Sequence, residues 1–284
     1  MSLQSLHPLS LISESERLSL GKNMRSFYLH PPANYYTLAD QASDKYNPQE
    51  QPFHCHLAEQ ISRGDHVLEV GCGSAHFCPV IQQRGGIYHG TDLDPHLLEN
   101  NRQKLTGGFF LKADEPIHES YDMVASLYTI EHVVDPPSYL KLLWSYARPG
   151  GKIGIICPDF IDGEGIPPSV YFGYTPQRLR QKIASCSVLD AGLHLYEWLM
   201  ASKAWKTQAR LSPPGAFWIN LDPRDLATRS HTIDGDAVHL PRLEDLVFWL
   251  RKNGAKILHT SRTLPDIPPD IIKHNCYVLA QKPL

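Results

Sequence analysis

The stretch from His66 to Phe77, HVLEVGCGSAHF, decides the fold of this chain. It opens with a short apolar run that ends beside an acid, Glu69, and continues into two glycines, Gly71 and Gly73. The run predicts a buried strand, and the glycines predict a tight turn into a helix. At such a turn a ligand can approach the backbone and meet unpaired N–H groups at the start of the helix. The stretch therefore predicts a ligand-binding strand–turn–helix unit.

The spacing of the glycines distinguishes two kinds of pocket. In the dinucleotide-binding pattern G-x-G-x-x-G, the third glycine after Gly71 and Gly73 would stand at position 76, which is His76. The chain thus lacks one residue that the dinucleotide pattern requires, and an NAD-dependent oxidoreductase is kept as an alternative. The other interpretation is a pocket for a different adenosine-bearing cofactor.

Strand and helix patterns alternate on the C-terminal side of this stretch, which predicts a parallel sheet. Asp94 and Asp135 each precede a proline and a helical apolar pattern, so both are predicted to be N-caps. The predicted strands are HVLEV from His66, IYHGT from Ile87, FFL from Phe109, DMVASL from Asp122 and KIGIIC from Lys152.

Five ordered segments resemble one protein family. Glu69-Val-Gly71-Cys-Gly73-Ser-Ala75 is similar to the E/D-x-G-x-G-x-G motif of class I S-adenosylmethionine-dependent methyltransferases, with alanine in the place of the third glycine. YHGTDLDP, LKADEP, ESYDMVASLYTIEHVVDP and ARPGGKIGIICPDF resemble later segments of the same family, nearest to its ubiquinone-type small-molecule members. The order and spacing of these matches favour the methyltransferase over the dinucleotide interpretation.

The resemblance implies an α/β fold with a Rossmann-like, seven-stranded, mostly parallel sheet, helices on both faces and an antiparallel last strand. Residues 51–160 would form the cofactor-binding core, and residues 237–284 would complete it with one helix and two strands. The strand–helix alternation fails after Phe160, so residues 161–236 are predicted to be an inserted helical and irregular cap over the acceptor site. Residues 1–50 are predicted to form an N-terminal flap.

The resemblance also implies a set of cofactor-binding residues. Asp92 would accept hydrogen bonds from the ribose hydroxyls, Glu69 would orient the amino-acid end, and Asp114 would lie near the adenine amine. The implied cofactor is S-adenosylmethionine, with S-adenosylhomocysteine as product. The full predicted set is Glu69, Gly71, Cys72, Gly73, Asp92, Leu93, Asp114, Glu115, Ser126 and Leu127, with Tyr35 and Tyr36 of the flap as further candidates.

The predicted reaction is methyl transfer to oxygen, nitrogen or carbon of a small molecule by in-line displacement, for which positioning supplies much of the rate. A base is needed only if the acceptor loses a proton, and His132 and Tyr128 are the candidates. Alternatively, Glu131 and His132 form a structural pair, or the chain binds the cofactor without catalysis. No metal is predicted, because three consecutive residues, His54 to His56, cannot close a tetrahedral site.

Composition limits the predicted partners. The net charge of −3 gives no general attraction for nucleic acid or membranes, and neither is predicted as a partner. Six cysteines without C-x-x-C spacing indicate reduced thiols and a cytoplasmic protein. Between Tyr171 and Gly215, six Lys and Arg residues stand against Asp190 and Glu197, which suggests an anionic acceptor or only a solvated helical face. The oligomeric state is left open.

Overall fold

The chain alternates strands and helices over most of its length. The computed structural model describes residues 5–42, 50–117 and 120–284, with side chains left out for 39–42. In these residues the strands are β1 Leu6–Pro8, β2 His66–Val70, β3 Ile87–Asp92, β4 Phe109–Lys112, β5 Tyr121–Leu127, β6 Ala147–Pro158, β7 Trp218–Asn220, β8 His239–Leu240, β9 Lys256–Thr260 and β10 Asn275–Gln281. The α-helices are α1 Glu14–Leu29, α2 Tyr35–Ala42, α3 Pro52–Glu59, α4 Phe77–Gln83, α5 Pro95–Lys104, α6 Pro136–Tyr146, α7 Leu179–Ala184, α8 Val188–Tyr196, α9 Ser202–Leu211, α10 Arg224–Thr228, α11 Leu243–Lys252 and α12 Pro269–His274.

Seven strands form the main sheet in the order β4-β3-β2-β5-β6-β10-β9. Strands β2 to β6 pair in parallel, whereas β10 is antiparallel to both β6 and β9. The predicted seven-stranded, mostly parallel sheet with an antiparallel last strand is confirmed. Asp94 and Asp135 accept hydrogen bonds from the first turns of α5 and α6, as their predicted N-cap role requires.

Both faces of the sheet are covered, because successive side chains of a strand point to opposite faces. Val67 of β2 packs in one core cluster with Leu57 of α3 and Phe77 of α4. Its neighbour Leu68 packs in the other cluster, which includes Leu140 of α6. All five side chains are buried. The predicted helices on both faces are thus present.

The strand order reverses between β2 and β5. From β2 the chain proceeds outward through β3 to β4, and it then returns to place β5 on the other side of β2. The connections that leave β2 and β5 therefore run in opposite directions and open a crevice at the carboxyl ends of these strands. In open α/β sheets, ligands bind at this switch point.

A second, three-stranded sheet has the order β1-β7-β8. Its first strand comes from the predicted flap and its second from the predicted cap, where Leu6 pairs with Asn220 and Pro8 with Trp218. Flap and cap therefore share a sheet, although the boundaries of the four predicted regions stay predictions. Within the described residues, no helix has the length and apolar character needed to cross a membrane.

Candidate functional site

A cavity of about 670 Å³ lies at the carboxyl ends of β2, β3 and β5. The glycine turn after β2, the end of β3 and the segment after β5 supply its floor and sides. Helix α1 supplies another wall through Met24, Arg25 and Tyr28, and Tyr35 at the start of α2 adds to it. The cavity thus occupies the switch point of the sheet and is large enough for a small organic cofactor.

Gly71 brings two walls of the cavity into contact. Its φ is +76°, and a Cβ at this position would lie 2.5 Å from Thr129 Oγ1 and 2.9 Å from Thr129 Cβ. The Thr129 hydroxyl donates a hydrogen bond of 3.2 Å to the Gly71 carbonyl. Only glycine fits this left-handed backbone at such a close approach, so Gly71 fixes the turn after β2 against the segment after β5.

Asp92 at the end of β3 holds the second glycine. The Gly73 N–H donates to Asp92 Oδ2 at 2.8 Å, and the Asp94 N–H donates to Asp92 Oδ1 at 2.9 Å. Burial raises the pKa of Asp92, and these backbone donors oppose that rise. Because a carboxylate has about four lone-pair sites, roughly two are left to accept the two hydroxyls of a ribose.

Glu69 lies at the buried end of β2 and also lines the cavity. Its Oε2 accepts a hydrogen bond of 2.6 Å from the Tyr88 hydroxyl. Burial raises the pKa of Glu69 to about 8. The side chain is therefore largely protonated at neutral pH in the free protein, and a cationic ligand beside it would favour its ionised form.

Comparison with known proteins assigns the chain to a family. A model of the family described as "Methyltransferase domain" matches residues 47–202, which is more than half of the chain. The chain belongs to this methyltransferase family. Membership confirms the predicted methyltransferase family, and the comparisons give no support to an NAD-dependent oxidoreductase.

Curated relatives of this methyltransferase match its core. It is 27% identical over 133 residues to a ubiquinone biosynthesis O-methyltransferase from Coxiella burnetii, covering 40% of this chain and 57% of that protein. A protein of the same name from Pseudomonas entomophila is 29% identical over 107 residues, covering 34% of this chain and 46% of that protein. The methyltransferase thus spans about half the length of the curated relatives it matches.

Solved structures share the fold of the methyltransferase at low identity. An S-adenosylmethionine-dependent methyltransferase from Mesorhizobium loti has a TM-score of 0.53 at 17% identity, covering 83% of this chain and 99% of that one. The 1,6-didemethyltoxoflavin-N1-methyltransferase from Burkholderia thailandensis, with bound 1,6-didemethyltoxoflavin and S-adenosylhomocysteine, has a TM-score of 0.51 at 15% identity, covering 96% and 92%. These likenesses concern the fold alone.

The cavity of the methyltransferase collects most of the predicted site residues. The predicted residues in its lining are Glu69, Gly71, Cys72, Gly73, Asp92, Leu93, Leu127, Tyr128 and His132. Those outside its lining are Asp114, Glu115, Ser126 and Tyr36. Roles in cofactor binding and catalysis stay predictions for both groups.

The four residues outside the lining have other contacts. The exposed Asp114 carboxylate pairs with Arg25 at 3.1 Å, and Glu115 accepts from the Lys112 N–H at 3.3 Å. The hydroxyls of buried Ser126 and Tyr139 form a hydrogen bond of 2.9 Å. The Tyr36 hydroxyl donates a hydrogen bond of 2.9 Å to Asp94 Oδ2. Of the two candidate tyrosines of the flap, Tyr35 lines the cavity, and Tyr139, the hydrogen-bond partner of Ser126, lines it as well.

Sequence reasoning missed the wall formed by α1. The start of this helix is readable, because Ser13 and Glu16 form a capping box. Nothing in the local pattern says that Met24 and Tyr28, two and three turns further on, lie against a cavity lined mainly by residues between 51 and 146. None of residues 161–236 is in the described lining, and the placement of the predicted cap stays a prediction.

Ala75 shows why this position of the motif favours glycine. The alanine is fully buried and has a φ of +53°, in the left-handed region. An L-residue there costs about 1 kcal/mol relative to glycine. The preference is therefore conformational and does not depend only on the small size of the side chain.

His132 reaches the cavity from a cluster of carboxylates. Its Nδ1 lies 3.4 Å from Asp236 Oδ2, and its Nε2 lies 3.9 Å from Glu131 Oε1. Tyr28 donates a hydrogen bond to the same Asp236 oxygen. Both oxygens of the fully buried Glu131 carboxyl are without a hydrogen-bond partner, and burial raises its pKa well above the usual range.

Two groups in this cluster have the residue types of metal sites. The candidate ligand atoms of Glu131, His132 and Asp234 lie within 4.8 Å of one another, as do those of Asp225, His231 and Asp236. In the second group His231 Nδ1 already lies 2.9 Å from Asp225 Oδ2. The prediction that no metal is used stays a prediction.

Replacing Asp92 with asparagine is expected to weaken S-adenosylhomocysteine binding about 30-fold. The amide nitrogen would face one of the two backbone donors of Gly73 and Asp94, and the ribose would lose its charged acceptor. Isothermal titration calorimetry measures the change. Asp270→Asn, at an exposed carboxylate of α12, is the matched control and should bind normally. Equal binding by the two variants would remove Asp92 from the cofactor site.

Cofactor affinity is expected to rise about eightfold from pH 6.5 to 7.5. With a pKa of about 8, Glu69 is ionised in only a small fraction of the free protein, and the ionised form favours the cationic sulfonium and ammonium groups. Binding should therefore release a proton, which calorimetry in two buffers of different protonation enthalpy detects. Glu69→Gln is expected to lose this pH dependence; an unchanged slope would assign it to another group.

Proposed function

We propose that this methyltransferase transfers the methyl group of S-adenosylmethionine to a small-molecule acceptor. The observation that carries the proposal is the convergence of Glu69, Gly71, Gly73 and Asp92 on one cavity. This cofactor has an adenosine, a sulfonium and an amino-acid tail but no pyrophosphate. Acids at the ends of β2 and β3 suit the ribose and the positive charges, whereas a phosphate would require bare N–H groups or cations there.

The acceptor atom is proposed to be oxygen, with nitrogen or carbon as less favoured possibilities. Support comes from the curated relatives, which are named ubiquinone biosynthesis O-methyltransferases. A hydroxyl acceptor must lose its proton, so this choice requires a base near the cofactor. Without that requirement, holding the acceptor in line with the methyl group would be the main contribution of the protein.

His132 is proposed to be that base. Its Nδ1 lies 3.4 Å from Asp236 Oδ2, the oxygen that also accepts a hydrogen bond from Tyr28, but Nδ1 itself makes no hydrogen bond within the described part of the chain. Nε2 is 3.9 Å from Glu131, beyond hydrogen-bond distance, and is therefore available for proton transfer. Asp236 would then orient the ring, as the third group of a base-and-orienter arrangement does.

The proposal leaves the charge of the acceptor open. The prediction of an anionic acceptor depended on six cations of the insertion; none of them is in the described lining of the cavity, and three are engaged by other groups. Lys206 Nζ donates to the Gly163 carbonyl at 2.8 Å, and Arg210 Nε donates to the Ile161 carbonyl at 3.0 Å. Lys182 is buried and pairs with Asp190 at 2.9 Å.

A cytoplasmic location is part of the proposal. All six cysteines are free thiols, and four of them are buried. A compartment that keeps thiols reduced suits this composition.

Calorimetry and an acceptor screen test the proposed function. We expect S-adenosylmethionine and S-adenosylhomocysteine to bind and NAD to produce no heat. S-adenosylhomocysteine formation should then be detected with at least one member of a panel of hydroxylated aromatic compounds, amines and carbon acids. Binding of NAD without a response to the sulfonium cofactor would overturn the proposal. Cofactor binding without turnover across the panel would favour a non-catalytic binding module.

A further inference from the structure

The helices of the insertion direct apolar side chains toward solvent. Helices α8 and α9 are continuous through a π-helical turn at Glu197–Ala201. Seven large apolar side chains on the first part of this helix are between 40% and 85% exposed, and we call them the apolar face. They are Val188, Leu189, Leu195, Tyr196, Trp198, Leu199 and Met200.

The apolar face is continuous along one side of the helix. Positions 188 and 189, 195 and 196, and 199 and 200 recur at helical spacing, over about 20 Å of helix length. The opposite side packs inward through Asp190 and Glu197 in this part of the helix and through Trp205 and Ala209 further on, which are all buried. Contiguous exposed apolar surface of this kind marks an interaction site.

Acidic side chains of the same segment are turned inward. Asp190 Oδ1 accepts from Lys182 Nζ at 2.9 Å and from the Tyr174 N–H at 2.6 Å, and Glu197 Oε2 accepts from the Gly173 N–H at 2.6 Å. Both acids are buried. The hydrogen bonds with Thr175, Lys182 and Tyr174 lower the pKa of Asp190 to about 2, against the effect of burial.

In the segment that carries the apolar face, residues 174–204, all exposed charged side chains are positive. Between residues 174 and 204, the exposed ionic side chains are Arg178, Arg180 and Lys203. The net charge of −3 for the whole chain hides this local excess. At physiological ionic strength the screening length is about 8 Å, so a surface in contact with the face is attracted mainly by these three cations.

We propose that the apolar face docks on the surface of an anionic lipid bilayer. Leucine, tryptophan and tyrosine on one side of a helix with arginine and lysine at its margins are typical of helices that lie in the membrane interface. The cations would contact anionic headgroups while the apolar side chains enter the boundary below them. The contact would be peripheral, since none of the described helices can span a bilayer.

A second copy of this chain fits the face less well. A two-fold contact would place the same patch on both sides of the interface. Arg178, Arg180 and Lys203 of both copies would then lie at the same interface, and like charges across an interface oppose association. An anionic lipid surface satisfies both the apolar side chains and the cations.

Vesicle flotation of the full chain tests the proposal. We expect binding to vesicles of phosphatidylcholine with about 30% phosphatidylglycerol, and at least tenfold weaker binding to phosphatidylcholine alone. The double variant Trp198→Ser, Leu199→Ser should lower the partition at least tenfold. Arg178→Gln with Arg180→Gln should lower it about 25-fold, since each cation near an anionic surface contributes roughly fivefold.

Matched controls keep the result interpretable. Leu11→Ser with Leu18→Ser removes two exposed leucines of the N-terminal segment and should leave vesicle binding unchanged. Circular dichroism should show native folding for every variant, because all the replaced side chains are exposed. Absence of binding to anionic vesicles would overturn the proposal. Binding that survives both the Trp198 and Leu199 substitutions and the Arg178 and Arg180 substitutions would also overturn it. Concentration-dependent dimers that disappear with Trp198→Ser, Leu199→Ser would assign the face to a second copy instead.

Discussion

Alanine at position 71 is expected to lower the free energy of unfolding by about 2 to 5 kcal/mol and to weaken cofactor binding at least 100-fold. The added methyl group would lie 2.5 Å from Thr129 Oγ1 and still closer to Cγ2. Overpacking of this kind costs about 1 to 3 kcal/mol, and the left-handed φ of +76° adds about 1 to 2 kcal/mol. Urea unfolding and titration with S-adenosylhomocysteine measure the two losses.

Two further variants separate the causes of this loss. Gly64 has a φ of +88°, and a methyl group added there would have nothing within 4 Å, so Gly64→Ala should show the conformational cost alone. Combining Gly71→Ala with Thr129→Ala should recover part of the stability, because the two closest contacts, with Thr129 Cγ2 and Oγ1, would be removed. Equal losses for Gly64→Ala and Gly71→Ala would show that the close approach contributes nothing.

Replacing His132 with asparagine is expected to lower kcat at least 100-fold for a hydroxyl acceptor while cofactor affinity changes less than threefold. A positioned base contributes about 10² to 10⁴ to such a step, and asparagine cannot take the proton. Steady-state rates at saturating cofactor give kcat, and calorimetric titration with S-adenosylhomocysteine gives the cofactor affinity.

Tyr128 provides the comparison for His132. It also lines the cavity, and its φ of +51° is strained for a non-glycine residue, but its hydroxyl donates to Asn275 Oδ1 at 3.0 Å. Tyr128→Phe should therefore change kcat less than threefold. A large loss in Tyr128→Phe together with a small one in His132→Asn would exchange the roles proposed for the two residues.

The sheet and one side of the cavity were predictable because their signals are local. Apolar runs separated by helical patterns specify parallel strands, and parallel strands place their carboxyl ends at one edge. Glu69, Gly71 and Asp92 stand at such ends, so their meeting at one cavity follows from the order of the segments. Local signals do not choose between neighbouring side chains: Tyr35 and Tyr36 were both candidates, and of the two only Tyr35 is in the described lining of the cavity.

The sequence by itself determined the α/β fold, its family and the acids and glycines of the cofactor turn, because each depends on residues close together in the chain. Only the tertiary structure decided that α1 walls the cavity, that Asp236 meets His132, and that the insertion exposes its apolar face while burying Asp190. These features depend on contacts between distant segments, such as the pairing of Leu6 with Asn220. Helical periodicity identifies two faces of a helix, but the packing of the whole chain determines which face is buried.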